Sequence, residues 1–94
     1  MEKTRSVKNS LWTARNKMGF SQKRVACALG LKRTSVLSRY EHGKRIPGLI
    51  NALKLEIVYR TPVAFLFSDL YLELKGQIRK KEEQINFGKV KKLH

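Results

Sequence analysis

Glycine interrupts this chain at short intervals, and that spacing limits the folds open to it. Gly19, Gly30 and Gly43 each close a run whose apolar residues recur at three- and four-residue steps, the period of one helix face. Glycine takes up the left-handed conformation that ends a helix without strain. Pro47 bars helix continuation, and Thr61-Pro62 suits a helix start. The chain therefore reads as a series of short helices. No stretch alternates with period two, so no strand is expected and the fold class is all-α. With 94 residues there is room for one core and none for a large catalytic cleft.

The first predicted helix runs from Ser6, its cap, to Met18, with Val7, Leu11, Trp12, Ala14 and Met18 on one stripe. The second spans residues 22–29 behind Ser21 as N-cap. Val25, Ala26 and Leu29 form its buried face, and Phe20 is placed to staple onto Val25. The third, capped by Thr34 or Ser35, continues through His42. It buries Val36, Leu37 and Tyr40 and turns Thr34, Ser35, Ser38 and Arg39 outward. The fourth runs from about Leu49 to Val58 and buries Leu49 or Ile50, Leu53 and Ile57. The fifth starts with Thr61 as N-cap and Pro62 at the first position, and carries Val63, Leu66, Phe67, Leu70, Leu74 and Ile78. Residues 76–84 extend it as a polar helix that Gly76 weakens by roughly 1 kcal/mol. Asn86 to His94 has little to bury and is expected to fray. The expected organisation is a basic arm at 1–6, a domain at 7–74 and a basic polar extension at 75–94.

Charge narrows the partners. There are 21 Lys and Arg against 7 Asp and Glu, a formal charge of +14, and residues 1–48 hold only two of the acids, Glu2 and Glu41. A concentrated excess of this sign attracts polyanions and makes binding steeply salt-dependent. No apolar run approaches the ~18 residues of a membrane span. Cys27 is the single cysteine, so an internal disulfide is excluded, and one cysteine with two distant histidines makes no metal cluster. The charged start is followed by no apolar signal region, so a cytoplasmic, nucleoid-associated protein is expected. Ser, Cys and His residues are scattered without the spacing of a catalytic triad, and no GxxxxGK[ST] or GxGxxG loop is present. Neither an enzyme nor a cofactor is expected.

Helices two and three, joined through Gly30 with the small Ala26 where they meet, form a helix-turn-helix pattern. Val25, Leu29, Leu31, Leu37 and Tyr40 bury the pair from behind. Helix three is left with a polar, basic outward face, as a helix entering a major groove requires. Lys32, Arg33 and Arg39 cluster around it with no acid nearby except Glu41. Trp12 reads as core or as a partly exposed helix-one contact, Cys27 as a small buried hydrophobe, and His42 as the end of a helix.

The run Gly19-Phe20-Ser21-Gln22, Val25-Ala26, Leu29-Gly30-Leu31, Ser38-Arg39-Tyr40-Glu41-His42-Gly43-Lys44, Pro47 and Ala52-Leu53 resembles the Cro/repressor-type helix-turn-helix family, also called the xenobiotic-response-element type. The resemblance covers roughly residues 7–70. It implies a five-helix, lambda-repressor-like bundle, here with a C-terminal helical extension. It implies a phosphate contact for Gln22, with Lys23 beside it. Base edges fall to Arg33, Thr34, Ser35 and Ser38, with Lys32, Arg39, Lys44 and Arg45 around them. It also implies a structural ion pair between Arg15 and Glu41. The chain departs from the family by one extra residue within Leu31–Ser35, which leaves Lys32, Arg33 and Thr34 as alternatives for the base-facing positions.

The expected function is sequence-specific binding of double-stranded DNA by a transcriptional regulator, typically a repressor, working as a homodimer. One recognition helix covers only about four or five base pairs, too few for useful selectivity. Phe67, Leu70, Leu74 and Ile78 are candidates for the dimer seam, with closure of the monomer core as the competing role for Phe67 and Leu70. An alternative is an antitoxin or adaptor that binds a protein partner through residues 75–94. RNA association ranks third, because most aromatics sit at apolar-stripe positions and not where they would stack on bases.

Overall fold

A computed structural model describes residues 6–85. Six helices follow one another: α1 (Leu11–Met18), α2 (Gln22–Leu29), α3 (Thr34–Glu41), α4 (Leu49–Tyr59), α5 (Val63–Leu66) and α6 (Ser68–Gln84). No strand occurs among the described residues. Of the expected N-terminal arm only Ser6 is described, and the expected frayed tail from Asn86 to His94 lies outside the described residues.

Three of the helix ends share one device. Gly19, Gly30 and Gly43 all have positive φ, between +73° and +79°. After α2, Gly30 N–H donates to the Cys27 carbonyl (3.0 Å) and Leu31 N–H to the Ala26 carbonyl (2.8 Å), the paired bonds of a Schellman turn. Lys54 Nζ, from α4, adds a bond to the Leu29 carbonyl at 2.9 Å. The turn between α2 and α3 is thereby held from both sides.

Leu11, Val25, Leu29, Leu37, Tyr40, Leu55, Tyr59, Leu66 and Phe67 form one buried cluster. α2 packs on α3 and α4, α1 on the same two helices, and α5 on α4 and α6. Helices α1 to α5 thus enclose the core, while α6 buries none of its own residues.

Several details depart from the sequence reading. α1 begins at Leu11 and not at Ser6. Val7 N–H donates to the Gly43 carbonyl (2.9 Å) and Ser10 N–H to the Leu66 carbonyl (2.8 Å). Asn9 binds the Val7 and Tyr40 carbonyls and accepts the Leu11 N–H at 3.0 Å. Tertiary bonds from Val7, Asn9 and Ser10 therefore hold this segment out of the helix, against the ends of α3 and α5. A Cβ at Gly43 would run into the Val7 backbone, so glycine is required there for the approach as well as for its φ.

The fifth predicted helix is split. α5 ends at Phe67, whose φ of −123° and ψ of 49° leave the helical region while its ring fills the core, and α6 restarts at Ser68. Thr61 caps nothing: its hydroxyl donates to the Tyr59 carbonyl (2.9 Å), and Glu56 Oε1 accepts the Val63 N–H of α5 instead. Cys27 is exposed and not a buried hydrophobe, and Trp12 is likewise exposed.

The largest departure is α4. Its buried residues are Leu55 and Tyr59, whereas Leu49, Ile50, Leu53 and Ile57 face outward. Two overlapping apolar stripes run along this helix, and the sequence pattern alone favoured the wrong one.

Candidate nucleic-acid interface

α2 and α3 are positioned before any of their polar side chains act. Ser21 Oγ accepts the Arg24 N–H at 3.1 Å, so the start of α2 is satisfied by its own cap. Phe20 packs on the core cluster, with the Arg24 guanidinium 5.4 Å from its ring centroid. In α3, Leu37 and Tyr40 are buried and Val36 packs on the cluster. The Tyr40 hydroxyl accepts from Asn51 Nδ2 (3.0 Å) of α4. One side of α3 is thereby locked.

At 100° per residue, Ser35, Ser38, Arg39 and His42 project from the side opposite Leu37 and Tyr40, with Thr34 at the margin. Ser35, Arg39 and His42 are exposed, and Thr34 and Ser38 are half-buried. Lys32 and Arg33 are exposed just before the helix, as are Lys44 and Arg45 just after it, and Lys23 is exposed on α2. Arg33 occupies the N-cap position and supplies no side-chain cap, so the positive end of this helix dipole faces outward among cations.

The sequence places His42 only at a helix end. It completes the outward set, seven residues after Ser35, and its Nδ1 donates to the Ser38 carbonyl at 2.8 Å. The seven-residue spacing was the available signal.

Behind this face lies an ion pair. Arg15 Nε reaches Glu41 Oε2 at 2.6 Å and Nη2 reaches Oε1 at 3.2 Å, while Nη1 donates to the Phe20 carbonyl at 3.0 Å. The Glu41 side chain is only 2% exposed. The hydrogen bond to Glu41 raises the Arg15 pKa above its ordinary value, against the opposing effect of burial. Gln22 Nε2 donates to Glu41 Oε1 at 3.0 Å, so one N–H of this expected phosphate ligand is spent on orienting its own side chain. α1, the start of α2 and the end of α3 thus meet on a single carboxylate.

Apart from Glu41, whose charge is answered by Arg15, the acids among the described residues lie on α4 and α6. The α2–α3 surface is left with uncompensated positive charge. Residues 13–66 match the family described as helix-turn-helix. The chain belongs to this family, in its Cro/repressor-type form. It is a DNA-binding helix-turn-helix regulator, and its six-helix all-α architecture is that of a lambda-repressor-like bundle in which the last predicted helix is broken. No curated protein matches the chain. No described helix of this regulator is long and apolar enough to cross a membrane.

Proposed function

We propose that this helix-turn-helix protein is a cytoplasmic, nucleoid-associated transcriptional regulator, a repressor, that reads a specific double-stranded DNA sequence with α3 in the major groove and acts as a homodimer. The observation that carries the reading is the outward face of α3. It is polar and accessible, rigidly backed by Leu37 and Tyr40, and bracketed by Lys32 and Arg33 at one end and Lys44 and Arg45 at the other.

Ser35, Ser38, Arg39 and His42 face the base edges in this pose. Arg33 and Thr34 enter at the N-terminal end of the helix, where base contacts concentrate in such docking. Lys23, Lys32, Lys44 and Arg45 neutralise phosphates, which position the protein without reading sequence. Gln22 offers its second amide N–H to a phosphate while Glu41 holds the first.

Selection from random DNA duplexes on the purified protein tests the proposal. The expected product is a palindrome whose half-sites are centred ~34 Å apart, one turn of the duplex. Enrichment of no sequence, or preferential displacement of the duplex by duplex RNA, overturns it.

One observation favours a second activity alongside the first. Residues 71–80 of α6 are all exposed, which suits an antitoxin- or adaptor-like protein contact through residues 75–94.

A further inference from the structure

The outward face of α4 is apolar, and no other described segment covers it. Leu49, Ile50, Leu53 and Ile57, together with Ile46 just before the helix, are between 47% and 74% exposed. At 100° per residue the four helical positions fall within an arc of about 100°, on the side away from Leu55 and Tyr59. We propose that this arc is the seam of a two-fold dimer, in which the α4 helices of two copies of this chain pack antiparallel around Leu53. The proposal rests on the homodimeric reading above and assigns its contact surface.

Three observations select a second copy as the occupant. The first is area. The five side chains present on the order of 500 Å² of apolar surface per copy, at the upper end of what a monomer usually leaves bare. A symmetric pair would bury about 1,000 Å², the size at which a specific interface becomes credible. The second is the symmetry of the stripe. Leu49 lies four residues before Leu53 and Ile57 four residues after it. An antiparallel copy therefore sets Leu49 against Ile57 and Leu53 against itself, the self-complementary arrangement that a two-fold axis demands.

The third is charge. The two charged residues within α4 are engaged inside their own chain: Lys54 Nζ binds the Leu29 carbonyl and Glu56 accepts the Val63 N–H. Both side chains are drawn back onto their own chain and leave the arc apolar, although the chain carries a formal charge of +14. A nucleic acid has no cation to meet within the arc itself.

Sedimentation equilibrium of the full chain without DNA tests the seam. The wild type is expected to dimerise in the micromolar range. Leu53→Glu should weaken dimerisation at least 100-fold while the helical circular dichroism signal and melting of the monomer persist, since residue 53 takes no part in the core. Leu74→Glu on α6 should leave dimerisation unchanged. As a geometric check, Leu53→Cys in a Cys27→Ser background should oxidise to a covalent dimer. A wild type that stays monomeric to about 100 µM, a Leu53→Glu variant that dimerises normally, or a dimer broken by Leu74→Glu would each overturn the assignment. A monomer that still selects one DNA sequence would remove the seam and the homodimer while leaving the reading of α3 in place.

Discussion

Glu41 shows how much one buried side chain can organise. Its two oxygens receive the Arg15 guanidinium and the Gln22 amide, so the charge is taken out of water only with its hydrogen bonds made, the condition under which a buried ion pair is tolerated. Tyr59 is the contrasting case. Its buried hydroxyl finds no protein hydrogen-bond partner among the described residues, and its pKa is pushed up to about 12, first by burial and then by the negative charge of Glu41. The folded state therefore holds the phenolic proton more tightly than the unfolded chain, where tyrosine titrates near 10. The stabilisation is fully present below pH ~10 and is lost as pH rises toward about 12. Tyr59→Phe should match or exceed the wild type in stability at neutral pH, because an unpartnered buried hydroxyl disappears. Its advantage should widen through the alkaline window, and paired thermal melts from pH 8 to 12 measure it. A gap that stays constant with pH would place the Tyr59 hydroxyl in contact with solvent.

At the scale of the element, the proposed pose divides the residues on and beside α3 between two tasks. A side chain that meets base edges alters which sequence is preferred, and one that meets phosphate alters affinity for every sequence alike. Arg33→Ala or Ser38→Ala should shift the preferred operator, and loss of a bidentate base contact would cost about 1–3 kcal/mol at that position. Lys44→Ala should weaken all duplexes by a similar factor. Affinities of each variant for a panel of single-base operator changes separate the two effects, and identical profiles would erase the distinction. Much of this element was legible in the sequence, because Leu37 and Tyr40 fix which side faces in and Gly43 fixes where the helix stops. α4 was not legible in the same way. Leu49, Ile50, Leu53 and Ile57 make as good an apolar stripe as Leu55 and Tyr59, and periodicity does not say which of two faces meets the core and which meets another molecule.

The whole molecule is a polycation, and among the described residues its excess positive charge lies before α6, where basic and acidic residues balance. Glu41 is neutralised internally and the other described acids lie on α4 and α6, so the α2–α3 surface should dominate the salt response. With roughly five phosphate contacts per subunit, a dimer should give a log–log slope of the binding constant against salt near −9. Fluorescence titration of a labelled operator over a range of salt concentrations reads that slope directly, and a value close to zero would remove the electrostatic basis for binding.

Local chemistry written along the chain settled where α1, α2 and α3 stop, which two helices form the helix-turn-helix, and that Ser35, Ser38 and Arg39 stand outward on α3. A glycine that must take positive φ, a serine that must accept an N–H and a proline that cannot donate one act within a few residues of themselves. The late start of α1, the break at Phe67 and the orientation of α4 were decided only by tertiary structure. Each depends on a partner far away in sequence: the Gly43 and Leu66 carbonyls for residues 6–10, and the shared core for Phe67, Leu55 and Tyr59. A hydrogen bond or a packed ring that spans the fold leaves no periodic trace in the segment it redirects.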